Sequence, residues 1–78
     1  MSMVQVGFQN FVDGNRIIAV VTPETAPIRR RIQQAKDNGM AIDATCGRKV
    51  RSVIYMDSGH IVLSAIQMGK IAERCDEE

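Results

Sequence analysis

The chain has 78 residues, 45% of them hydrophobic and 24% charged, with a formal net charge of +1. That length holds one domain and leaves no room for separate catalytic and regulatory halves. The composition excludes a disordered tail, a collagenous repeat and a mucin-like stalk, and the longest wholly apolar run, Ile17–Val21, falls far short of the roughly 20 residues a membrane-spanning helix needs.

Val4–Val12 places Val4, Val6 and Phe8 against Gln5, Gly7 and Gln9, the alternation of a strand with a glycine inside it. Asp13-Gly14-Asn15 is a turn signal, and Arg16–Val21 follows as a β-branched run expected to be covered on both faces. Together the two segments predict a hairpin. Thr22-Pro23-Glu24-Thr25-Ala26-Pro27 opens a helix that runs to about Asn38, with Thr22 or Thr25 as the cap and Gly39 just past its end. Its apolar stripe is Ile28, Ile32 and Ala35. On that helix Arg29 lies near Lys36, Arg30 lies opposite the stripe and Arg31 flanks it, so the three arginines do not form one patch.

Met40–Ala44 is a short strand candidate, and Thr45-Cys46-Gly47 is a loop leading into Arg48-Lys49. Val50–Met56 reads as a strand with Val50, Ser52, Ile54 and Met56 on one face. Asp57-Ser58-Gly59 turns the chain into a second strand, His60–Ile66. Gln67 to about Arg74 is a short terminal helix. The expected unit is one α+β domain over residues 1–74, a twisted antiparallel sheet of hairpins with one main amphipathic helix and a short C-terminal one. Residues 75–78 form an acidic tail that frays into solvent.

No catalytic constellation can be named. Cys46 and His60 lack any supporting spacing, and Gly69-Lys70 is followed by Ile71, so the phosphate-loop motif fails. One histidine and two distant cysteines give no metal-ligand pair. The expectation is a protein without enzymatic activity, metal or cofactor. The N-terminus carries neither a basic cluster nor an apolar stretch of signal-peptide type, which points to the cytosol. Chains of about 70–80 residues commonly need a disulfide, a metal or self-association for stability. Self-association is the route these residues leave, with a well-packed monomer as the alternative.

Charge is unevenly spread. Residues 14–51 hold eight basic and three acidic side chains, while Asp76-Glu77-Glu78 closes the chain with acids. Arg48, Lys49 and Arg51 stand in a loop and at a strand start, and Arg16 follows the Asp13-Gly14-Asn15 turn. Cations on short loops at strand ends reach along a phosphate chain, and the arginine fork matches phosphate oxygens. Tyr55 stands alone, so no aromatic platform for single strands accompanies them, and duplex DNA is the better fit.

Asn15-Arg16, Pro23-Glu24, Ala26-Pro27-Ile28, Gly39, Asp43-Ala44-Thr45-X-Gly47-Arg48, Met56-Asp57-Ser58-X-His60 and Leu63-Ser64 resemble the small bacterial RemA family, across residues 7–64 with almost no gaps. The resemblance implies a DNA-binding transcriptional regulator of biofilm-matrix and osmoprotection genes. It implies a fold similar to the LytTR type of DNA-binding domain and a closed homo-oligomeric ring, with an octamer as a working size, whose basic rim carries double-stranded DNA. It places the DNA contacts on Arg16, Arg48 and Lys49, and Arg51 beside them is a fourth. Arg29, Arg30 and Lys36 are secondary candidates for DNA or subunit contacts. Lys49 stands where better-known members carry arginine, which keeps the charge and loses the fork. Location on the nucleoid follows from the DNA reading. The alternatives are a structural or protein-interaction ring without nucleic acid and, more weakly, an RNA-binding module.

Overall fold

The computed structural model describes residues 2–76; of the expected acidic tail, Glu77 and Glu78 lie outside the described residues. In chain order the elements are β1 (Met3–Gly7), β2 (Asn10–Asp13), a turn of 3-10 helix (Gly14–Arg16), β3 (Ile17–Val21), α1 (Ala26–Asp37), β4 (Ala41–Asp43), β5 (Ser52–Met56), β6 (Ile61–Ser64) and α2 (Met68–Cys75). The α+β class and both helices agree with the sequence reading.

Two pairings do not. Val4–Val12 is not one strand but a hairpin in itself, with Val4 opposite Val12 and Gln5 opposite Phe11. Phe8 and Gln9 form its two-residue turn, both left-handed at φ 51° and 63°. Such a turn normally uses Asn-Gly, so these residues gave no turn signal. The Asn10 side-chain amide donates to the Gly7 carbonyl at 3.0 Å and closes it. The predicted pairing of this segment with Arg16–Val21 is therefore corrected. Asp13 accepts the Asn15 N–H at 2.9 Å, the chain turns, and β3 leaves the hairpin to pair antiparallel with β5.

The main sheet has the order β3-β5-β6-β4. β5 and β6 form the expected hairpin, but β4 runs parallel to β6, so the sheet is mixed rather than antiparallel throughout. Helix α1 causes this. It crosses one face from the β3 edge and delivers the chain, through Gly39 at φ +71°, onto the free edge of β6 in the direction of β6. Thr25 occupies the cap position of α1 but makes no side-chain bond there. β3 is an edge strand, and Ile18, at the irregularity in its pairing, is 68% exposed, so the expected two-sided cover is absent.

The molecule has three layers. On one face of the main sheet, α1 buries Ala35 against Val53, Ile61 and Leu63, with Ile28 and Ile32 alongside. On the other, the β1–β2 hairpin and α2 bury Val6 and Ile71 against Ile54, Val62 and Ala44. Val50, expected with Ile54, packs on the α1 side, because the strand begins only at Ser52. Full burial of each aliphatic side chain is worth about 1.5–3 kcal/mol. Two buried hydroxyls join the layers. Ser64 Oγ donates to the Val6 carbonyl at 2.7 Å and accepts from Ile66 N–H at 3.0 Å. Ser52 Oγ donates to the Ile66 carbonyl at 2.7 Å. No helix is long and apolar enough to cross a membrane among the described residues.

Candidate nucleic-acid interface

The loop between β4 and β5 is built from its acid outward. The Asp43 carboxylate accepts from the Thr45 hydroxyl and from the Thr45 N–H. The hydroxyl first and the amide second hold its carboxyl below the usual value. Thr45 then starts a tight turn, closed by Arg48 N–H donating to the Thr45 carbonyl at 3.0 Å. Cys46 and Gly47 take the left-handed positions, φ 55° and 81°. Arg51 N–H donates to the Ser64 carbonyl at 2.8 Å, so the loop is fastened at its far end as well. Arg48, Lys49 and Arg51 are thereby presented on a short, fixed segment, all three exposed.

Phe8 at the tip of the β1–β2 hairpin lies under Arg48, the guanidinium carbon 5.4 Å from the ring centroid. That distance is within the range of a cation–π contact. It orients Arg48 and ties the hairpin to the loop. No sequence signal pointed to Phe8 in this role, because the turn that lifts it there was not legible.

Lys49 and Arg51 meet Arg29 of α1 around a cleft of about 450 Å³, completed by Pro23, Glu24 and Val50. Arg48, Lys49, Arg51 and Ala65 line a hollow of about 400 Å³. Arg29, a secondary candidate in the sequence, thus belongs with the primary group. Lys36, two turns further along α1, and Arg30 line neither space.

Arg16 stands elsewhere. Ile17 pairs with Met56, so Arg16 sits at the end of β5 opposite Arg51. Five residues of β5 separate the two ends, about 17 Å at roughly 3.3 Å per residue. Its guanidinium lies 3.7 Å from Asp13 and 3.6 Å from Asp57. Among the described residues these are the only ion pairs, so Arg29, Arg48, Lys49 and Arg51 have no carboxylate within salt-bridge distance. Among the described residues the chain therefore presents a group of four cations without carboxylate partners and a separate, acid-flanked Arg16.

A family model described as RemA-like, extracellular matrix regulatory protein A-like, matches residues 3–75. The chain is 53% identical over 78 residues to a Halothermothrix orenii protein provisionally named a regulatory protein, covering 100% of this chain and 93% of that one. It is 51% identical over 74 residues to extracellular matrix regulatory protein A of Bacillus subtilis, covering 95% of this chain and 83% of that protein. A provisionally named regulatory protein of Clostridium kluyveri is 53% identical over 74 residues, with coverage of 95% and 80%.

Proposed function

The chain belongs to the RemA-like family of regulatory proteins, and on that premise we propose that it is a non-enzymatic transcriptional regulator that binds duplex DNA. It acts in the cytosol, on the nucleoid, as a homo-oligomeric ring of LytTR-like subunits whose basic rim the duplex follows. Its genes are of the matrix and osmoprotection type. The observation that carries this reading is the cluster of Arg48, Lys49 and Arg51, exposed, without carboxylate partners among the described residues, and held on a loop fastened at both ends. Charges that stabilise a fold are found paired or capping; these are positioned and left unneutralised. Arg16 adds a second contact point, about 17 Å away, and repetition around a ring turns such scattered points into one track.

Contacts of this kind go to phosphates, so selectivity comes mainly from duplex shape and bendability. The log of the affinity falls with the log of salt at a slope of about −0.9 for each phosphate neutralised. The deciding experiment is light scattering of the protein alone and with a promoter-length duplex, paired with a salt titration of Arg48→Ala. The variant keeps its assembly and loses affinity for every duplex sequence to a similar degree. Unchanged affinity removes Arg48 from the interface. A ring that ignores duplexes leaves the protein-interaction reading instead.

A further inference from the structure

We propose that Arg29, Lys49 and Arg51 form a single seat for a phosphate group of the bound duplex, so that α1 contributes a DNA contact of its own. The inference rests on the duplex-binding reading above and names how one part of that surface engages the backbone.

Two parts of the fold supply the seat: the first turn of α1, with Arg29, and the β4–β5 loop, with Lys49 and Arg51. Their cations border the same cleft of about 450 Å³, whose one carboxylate, Glu24, pairs with none of them. Arg29 is oriented by donating from Nη1 to the Glu24 backbone carbonyl at 2.9 Å. That bond uses one donor of the guanidinium and leaves the rest of the fork for another acceptor. Helix stability does not account for Arg29. The first turn of a helix is its positive end and favours acids, yet α1 has no acid there and no side-chain bond at its cap. A cation at that position adds to a positive end that no acid of the first turn offsets. The whole arrangement is satisfied by an anion, and forked donors from two arginines match the tetrahedral oxygens of phosphate. Arg30 is the contrast: also exposed, on the same helix, and outside the cleft.

The test measures duplex affinity against salt by fluorescence anisotropy for the full-length assembled protein. Arg29→Gln weakens binding at least about ten-fold at low salt and makes the log–log slope shallower by about 0.9 for each subunit whose seat the duplex engages. Arg29→Lys restores the slope, and Arg30→Gln leaves both quantities at the wild-type value. An unchanged slope in Arg29→Gln overturns the proposal. Calorimetric titration with pyrophosphate separates the two sources of phosphate. If Arg29→Gln loses pyrophosphate binding while its duplex slope is unchanged, the cleft serves a free phosphoanion and the duplex assignment is overturned. If the wild type binds no duplex, the functional reading fails. Pyrophosphate binding that disappears in Arg29→Gln then still supports the phosphate chemistry of the seat, and equal binding by both proteins overturns that as well.

Discussion

Arg16 and Arg48 carry the same charge in different company. Arg48 rests on the face of Phe8 with no acid beside it, whereas Arg16 lies between Asp13 and Asp57. Both acid contacts are long, at 3.7 and 3.6 Å, and the arginine side chain is 65% exposed, so they contribute little to stability. On the proposed DNA reading their effect falls on binding, where the carboxylates compete with phosphate for the guanidinium. Asp57→Asn keeps a turn-forming residue, removes the competing charge and leaves the melting temperature essentially unchanged. Duplex affinity rises a few-fold at low salt, and the gain shrinks as salt screens the site. Lower affinity in this variant would mean that Asp57 holds Arg16 in its binding position.

At the scale of elements, the stiffest compromise is the β1–β2 turn. Phe8 and Gln9 both sit in the left-handed region, which costs an L residue about 1–2 kcal/mol. What the turn gains is a ring beneath Arg48. Replacing the pair by Asn-Gly (F8N with Q9G) relieves the backbone and raises the melting temperature by about 4–8 °C for each kcal/mol recovered. The same variant frees Arg48 from a contact worth about 0.5–1 kcal/mol, so duplex affinity drops by at most about two- to five-fold, the cost of ordering that side chain on binding. A thermal melt beside an anisotropy titration reads both, and a variant that gains stability and keeps full affinity would show that the ring does not position Arg48.

This turn also marks where the sequence stops being legible. Helix α1, with its Pro27 opening, its Ile28–Ile32–Ala35 stripe and Gly39 beyond it, is written in local residue chemistry, as is the turn Asp57-Ser58-Gly59 between β5 and β6. Phe8-Gln9 is chemically silent, so from residue chemistry alone the first hairpin reads as one strand and β3 takes the wrong partner. The parallel β4 could not be read from its three residues, since its direction is decided by where α1 releases the chain. The site behaves likewise. Arg48, Lys49 and Arg51 are neighbours in sequence and in space. Arg29 joins them only through the packing of α1 on the sheet, and Arg16 is set apart only by the antiparallel register of β3 against β5.

For the whole molecule, the open question is how few exposed cations suffice. The chain measures 33 Å in its longest direction, about one turn of duplex at roughly 34 Å, so on the proposed reading one copy offers only a handful of phosphate contacts. Linking copies raises affinity by about 10²–10⁴ without any new contact. The main sheet is open at both edges, β3 and β4, and each edge strand exposes an isoleucine, Ile18 at 68% and Ile42 at 50%. Unpaired edges accept another chain unless they carry charge or proline; β3 carries neither, and β4 carries only Asp43 at its end. Ile18→Lys and Ile42→Lys change an isolated subunit by no more than about 0.5 kcal/mol, since the side chains are already in solvent. The two views of binding then diverge in sign. If single copies bind DNA, an added lysine raises affinity. If copies join through these edges, an unpaired ammonium is forced into the contact, the assembly dissociates in light scattering, and affinity falls by the lost linkage despite the extra positive charge. A variant that stays assembled and binds more tightly would place the subunit contact elsewhere on the surface.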